Sequence, residues 1–247
     1  MNQSDEPVVR ARNLRKDYGS EEGLVRAVDG IDLDVIRGET VAVMGPSGCG
    51  KSTLLHLLGG LDRPTAGEVW LAGQRIDEMS ERALAHLRRS DIGFVFQAFQ
   101  LMDELTVLEN VELPALLAGR SPRAACRRAT ELLEQVGLTQ RMTHLPTALS
   151  GGQRQRVAIA RALANEPVIV FADEPTGNLD SVATTELLRL FDALHTSGLT
   201  LVIVTHDERV AATADRLISM RDGAFVGDTR LTGGSTGNLA RLAGLDG

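Results

Sequence analysis

Gly45-Pro46-Ser47-Gly48-Cys49-Gly50-Lys51-Ser52 lies between an apolar run, Glu39 to Met44, and a helical stretch, Ser52 to Gly60. A buried strand that passes through a glycine-rich loop into a helix predicts a phosphate cradle on an α/β sheet. The glycines let the backbone curl until successive N–H groups point at one anion. The helix that begins near Lys51 adds the positive end of its dipole. Lys51 is expected to bridge the β- and γ-phosphates of a nucleotide, with the Ser52 hydroxyl, followed by Thr53, ligating Mg²⁺. Of the 26 basic residues only Lys16 and Lys51 are lysines. Position 51 keeps the compact ammonium because a planar guanidinium fork would not fit inside a ring of backbone amides.

Downstream stands Leu149-Ser150-Gly151-Gly152-Gln153, before a stretch whose Val157, Ala160 and Ala164 share one helical face. A serine hydroxyl, two glycine amides and a helix dipole make a second anion site. Next comes the apolar run Val168 to Ala172, ending in Asp173-Glu174. The Asp173 carboxylate is expected to emerge at the carboxyl edge of the sheet beside the phosphate loop, where it can hold Mg²⁺. Glu174 is expected to point elsewhere.

In this order, the three motifs resemble the ATPase subunit of an ABC transporter, over nearly the whole chain. The fold implied is α/β: a P-loop NTPase (RecA-like) core with an antiparallel β edge sheet and an inserted all-helical subdomain. The resemblance implies that Glu174 polarises the attacking water and that Gln97 contacts Mg²⁺ or that water. It implies that His206 contacts the γ-phosphate and that Tyr18, the only tyrosine, stacks on adenine. It also implies that Ser150, Gly151, Gly152 and Gln153 close over ATP held by another copy, with Asn178-Leu179-Asp180 crossing the interface. The expected assembly is a homodimer that forms around two ATP molecules and opens after hydrolysis.

Gly59 to Glu68, Leu105 to Val111 and Ala172 to Ser181 are similar to one branch, the lipoprotein-release, macrolide-export and cell-division ATPases (LolD, MacB and FtsE types). Those pair with a permease of few transmembrane helices, so an FtsX- or MacB-like permease is the expected partner, met through the loop after Gln97 and the helical subdomain. Phe99, Leu101 and Met102 supply apolar groups for a groove that could receive a short helix of the permease. Arg120, Arg123, Arg127 and Arg128 read as a solvated helix face. An alternative is a regulatory module that gates a membrane-bound cell-envelope partner and transports nothing. A soluble DNA-repair or translation ATPase is disfavoured by the absence of a long coiled-coil insertion.

The 247 residues are read as a single ABC ATPase domain, with a catalytic core at 1–97 and 165–225. A helical subdomain is expected at 98–164 and a short flexible tail at 226–247, with a helical turn near Leu239 to Leu242. Val8 to Tyr18, Ala27 to Val35 and Glu68 to Ala72 read as strands, as do Ile92 to Gln97 and Leu199 to Thr205. Ser80 to Arg89 and Ser181 to His195 read as helices, and Pro114, Pro122 and Pro146 are expected to divide the helical region. A net charge of −7 argues against nucleic acid as a partner. No run reaches the ~18–20 apolar residues that cross a bilayer. Met1 to Pro7 is polar, so the chain is expected at the cytoplasmic face of the plasma membrane, held by its permease. Cys49 reads as a small filler in the phosphate loop, where a thiol adduct would occupy phosphate space.

Overall fold

Residues 7–20 and 23–231 are described in the computed structural model. Alternation at the start of the chain becomes β1 (Pro7–Tyr18), which pairs antiparallel with β2 (Val25–Ile36). Val9 and Ala11 face inward while Arg10 and Arg12 meet Asp34 on the outside. β3 (Thr40–Met44) enters the glycine loop and α1 (Lys51–Leu58) leaves it. β4 (Ala66–Leu71) and β5 (Gln74–Arg75) complete the edge sheet in the order β2-β1-β4-β5. α2 (Glu81–Ser90) starts at Ser80, whose hydroxyl accepts from the Ala83 N–H, and β6 (Ile92–Phe96) follows.

The next segment is helical, as its periodicity predicts. α3 (Val107–Leu117) opens on a reciprocal cap: the Glu109 N–H donates to Thr106 Oγ1, and the Thr106 N–H donates to Glu109 Oε2. α4 (Pro122–Gln135) places Pro122 in its first turn, where the missing N–H costs nothing. Pro146 opens a short 3₁₀ turn. Pro114 departs from expectation, because it lies inside α3 instead of dividing it. It falls in the last turn, where it removes a single backbone bond, and its carbonyl accepts from Asn165 Nδ2 at 3.0 Å.

α5 (Gly151–Ala162) then leads to β7 (Ile169–Asp173), α6 (Ser181–Thr196) and β8 (Leu201–Thr205). A short α7 (Glu208–Ala211) precedes β9 (Arg216–Arg221) and β10 (Ala224–Arg230). The tail expected from residue 226 is therefore strand as far as Arg230. The hairpin turns on Asp222 (φ 48°) and Gly223 (φ 80°), an Asp-Gly pair suited to a tight turn with both central residues at positive φ. Leu239 to Leu242 lies outside the described residues.

The second sheet runs β10-β9-β3-β8-β7-β6, parallel except for β10. Along β8, Val202 and Val204 pack with Leu55, Leu58 and Phe171, while Leu201 and Ile203 pack with Leu132, Val157 and Leu188. Both faces are covered, which is why this strand reads as a continuous apolar run. The carboxyl ends of β3, β6, β7 and β8 therefore lie side by side, and the loops that leave them carry the chemistry.

Candidate active site

β3 delivers the chain into the glycine loop. Gly50, at φ 103°, ends that loop, and a Cβ there would drive into the Ala27 carbonyl, so no other residue fits. Lys51 is only 7% exposed, and its Nζ donates to the carbonyls of Gly45 (2.8 Å) and Pro46 (3.0 Å). A buried ammonium held by two neutral carbonyls is poised for a stronger anionic partner. The loop is stitched to the β9–β10 hairpin, because the Gly223 N–H donates to the Cys49 carbonyl at 3.1 Å. The Cys49 thiol is buried, 5% exposed, and lies against Gly45 instead of lining the opening.

A cavity of about 480 Å³ opens above this loop. Ser47, Gly48, Gly50, Lys51, Ser52 and Thr53 form its floor. Tyr18, Ala27, Gln97, Glu174 and His206 form its walls. Ten of the residues chosen from sequence as nucleotide or catalytic groups, Gly50 among them, thus meet in one place. Gly45, Pro46 and Cys49 shape the loop from behind.

Ser52 Oγ donates to Asp173 Oδ1 at 2.9 Å, across the gap between α1 and the end of β7. Burial pushes the Asp173 carboxyl up from its ordinary range, and the Ser52 hydrogen bond only partly opposes this. Two hard oxygen donors beside a phosphate loop are a donor set that fits Mg²⁺, which binds through one or two protein oxygens together with water and phosphate. Among the described residues no cluster of three His, Cys, Asp or Glu side chains could hold a metal without such help.

Glu174 takes a left-handed backbone conformation, φ 44°, an uncommon one for a non-glycine residue and typical of functional turns. Its N–H donates to the Val204 carbonyl at 2.9 Å, which fixes the turn to β8. Oε2 lies 3.0 Å from His206 Nδ1 and accepts from the His206 backbone N–H at 3.3 Å. The carboxylate is largely covered while the imidazole is open to solvent. Adjacent acids at the end of β7 thus face different partners, because the left-handed turn at Glu174 takes its side chain away from that of Asp173.

Gln97 follows β6, and its carbonyl accepts from Asn178 Nδ2 at 2.9 Å. Gly177 lies so close that a Cβ would come within 2.6 Å of Gln97 Nε2. The chain then turns through Phe99 (φ 60°) and Gln100 (φ 51°), and the Arg161 guanidinium donates to both of their carbonyls. This turn swings the Phe99 ring inward against Gly151, with the Arg154 guanidinium 5.0 Å from its centroid. Leu101 packs into the helical core, and only Met102 stays half exposed. Of the three residues expected to line a docking groove, only Met102 is thus offered widely to a partner. An apolar cleft of about 310 Å³ lies beside them, between α2, β6, α3 and the end of α5.

The second motif is placed apart from the cavity. Ser150 caps α5: its Oγ accepts from the Gln153 N–H at 3.3 Å, and its own N–H donates to Gln153 Oε1 at 3.0 Å. Gln153 thus holds the serine, and the Gly151 and Gly152 amides begin the helix, where backbone N–H groups have no intrahelical partner. Gly151 abuts Asn178 and Leu179, and Gly152 abuts Ala183. Asp180 caps α6 through the Ala183 N–H at 2.8 Å. None of Ser150, Gly151, Gly152, Gln153 or Asp180 lines the cavity that Lys51 serves.

The ABC transporter family model matches residues 28–177, spanning the phosphate loop, the Ser150 motif and the Asp173-Glu174 pair. The chain belongs to the ABC transporter family. An ABC transporter ATP-binding protein of Thermotoga maritima, itself uncharacterised, is 52% identical over 223 residues, 90% of this chain and 95% of that protein. The lipoprotein-releasing system ATP-binding protein LolD of Xylella fastidiosa is 51% identical over 220 residues, covering 89% and 92%. The macrolide export ATP-binding/permease protein MacB of Hyphomonas neptunium is 47% identical over 90% of this chain, which spans 35% of that longer protein. A solved dimer of the ATP-binding cassette MJ0796, in a post-hydrolysis state with ADP and Pi, superimposes with a TM-score of 0.85 at 43% identity. It covers 91% of this chain and 99% of that one. This ABC protein is an ATPase with the ATP-binding role of a transporter subunit.

The sequence reading missed Ala27 as a wall of the ATP cavity and Arg161 as the support of the loop after Gln97. No local motif marks either one, since both act through the loops they meet.

Proposed function

We propose that this ABC subunit binds ATP in the cavity above Lys51 and hydrolyses it only when a second copy brings Ser150, Gly151 and Gly152 over the γ-phosphate. The observation that carries the reading is the separation of the two anion sites on one chain: the cavity contains Lys51, Gln97, Glu174 and His206, while no residue of the capped start of α5 lines it. In this reading Glu174 orients the attacking water, with His206 steadying its carboxylate and reaching the γ-phosphate. Lys51 and the loop amides stabilise the charge that develops on the transferred group. Ser52, Asp173 and Gln97 would hold Mg²⁺, which supplies neutralising charge to the phosphates. Asp180 and Gln153 hold the two loops that meet at the dimer face.

The partner is read as an integral membrane permease of the FtsX or MacB kind, entering the cleft lined by Arg88, Arg89, Phe96, Leu113 and Leu117. Leu117 is 59% exposed and the arginines rim the opening, which suits a short apolar helix with an acidic end. Among the described residues no helix is long and apolar enough to cross a membrane, so attachment at the cytoplasmic face would run through that permease. The basic cluster around α4 is partly engaged within the chain, because Arg127 and Arg128 of α4 pair with Glu131, and Arg120, just before α4, pairs with Glu166. Purification from membranes tests the partner: a permease of few transmembrane helices should accompany the ATPase and stimulate it. Recovery of the ATPase with a cell-envelope regulator and no permease would favour the gating alternative.

A further inference from the structure

Lys51 has its task in the phosphate loop, but the other lysine of this arginine-rich chain, Lys16, has none in the reading above. We propose that Lys16 and Asp62 form a clamp that fixes the Tyr18 ring as the base platform of the ATP cavity, which makes both of them positioning residues for nucleotide binding. This rests on the reading that Tyr18 carries the adenine.

Tyr18 stands at the end of β1 and is 43% exposed, so nothing packed around it would hold its ring in one rotamer. Its hydroxyl does so instead. The phenol donates to Asp62 Oδ2 at 2.7 Å, and Tyr18 lines the cavity together with Thr53, which belongs to the helix that leaves the phosphate loop. The other Asp62 oxygen accepts from Lys16 Nζ at 2.7 Å and from the Arg63 N–H at 2.7 Å. Lys16 Nζ donates also to the Arg63 carbonyl at 2.7 Å and lies 5.0 Å from the Tyr18 ring centroid. One ammonium therefore ties the carboxylate, the backbone and a face of the ring together, at a distance where cation–π attraction operates.

An exposed ion pair contributes little by itself. This pair is better covered, with the Lys16 side chain 14% exposed. Burial pushes the Asp62 carboxyl up, yet Lys16, Tyr18 and the Arg63 amide outweigh it and hold the group below its ordinary range. A compact ammonium can aim its donors at two oxygens while keeping its charge beside the ring, and a planar guanidinium spreads its donors outward. That gives position 16 the same reason as position 51 to be lysine. The ring is thus ordered before the nucleotide arrives, and the ordering cost is removed from binding.

The test compares Tyr18→Ala, Tyr18→Phe, Lys16→Met and Asp62→Asn in the full chain. The readouts are KM and kcat for ATP and the inhibition constant of inorganic tripolyphosphate, which has no base. Lys16→Met and Asp62→Asn should raise KM for ATP about tenfold, with kcat changed less than about twofold and tripolyphosphate inhibition unchanged. Neither should add to the effect of Tyr18→Ala. Tyr18→Phe, which keeps the ring and loses its anchor, should fall between and serves if Asp62→Asn does not fold. An unchanged KM in Tyr18→Ala would overturn the base-platform reading and the clamp with it. A raised KM in Tyr18→Ala beside wild-type values in Lys16→Met and Asp62→Asn would overturn the clamp alone. Weakened tripolyphosphate inhibition in the clamp variants would also overturn it, as a sign of general damage to the loop.

Discussion

The cavity above Lys51 and the start of α5 are built from the same material: a glycine-containing turn, a helix N-terminus and a hydroxyl. They differ in what surrounds them. Around the first, β6, β7 and β8 deliver Gln97, Glu174 and His206 to the same space, and Ser52 already meets Asp173. Around the second, the serine is tied to Gln153, and its neighbours are the Asn178-Leu179 turn and Ala183. On the proposed reading, the first region is a reaction chamber, and the second is a donor face whose acceptor lies on another copy. A parallel sheet gathers its loops at one edge, whereas a helix in a separate subdomain presents its amides outward. The difference supports the proposal that the two sites serve one kind of ligand from two copies of the chain.

Breaking the donor face should have the largest effect. Ser150→Arg places a bulky cation where a γ-phosphate must approach and should lower kcat by about 10²–10³-fold, as losing preorganised donors does. ATP binding by the monomer, followed by nucleotide fluorescence, should stay within error of wild type. Loss of monomer binding would mean that the serine serves its own cavity.

A smaller effect is expected at the cleft by the other end of α5. Leu113→Glu puts a charge in the apolar lining and should weaken permease-stimulated ATPase activity by about tenfold, one 1.4 kcal/mol step, while basal turnover is unchanged. Equal stimulation in the variant would move the docking site elsewhere.

The smallest effect concerns pH. The Asp62 carboxyl lies below its ordinary range in the folded chain, so the clamp is present above the unfolded value and is lost only as pH falls through the depressed one. The ratio of KM for ATP between Tyr18→Ala and the parent chain, in which titration of the phosphates and of His206 cancels, should therefore stay flat from about pH 7.5 to about pH 5. A fall of that ratio within the window would show that Asp62 is not held by Lys16.

The sequence was most legible where local chemistry decides structure. The glycine loop, the Ser80 cap, the buried runs at β7 and β8 and the edge strands follow from spacing and residue type alone. Less legible were features set by long-range contact. Ala224 to Arg230 has little apolar content and becomes a strand because β9 lies beside it, and the Asp222-Gly223 turn signal before it went unread. Pro114 could be a break or a last-turn passenger, and only the end of α3 at Leu117 decides. Phe99 was ambiguous for the same reason: its inward direction depends on Arg161, sixty-odd positions away along the chain. Gly177 and Gln97, also far apart, fit together in a way no motif announces.

The central claim is that one copy's Ser150 motif completes the other copy's cavity. Glu174→Gln keeps the ATP contacts and removes the water-orienting carboxylate, so ATP should lock the dimer. Sedimentation of this variant at micromolar concentration should give a monomer without nucleotide and a dimer with two bound ATP in its presence. Adding Ser150→Arg should return it to a monomer. A Glu174→Gln chain that stays monomeric in ATP, or a dimer that survives Ser150→Arg, would contradict the account.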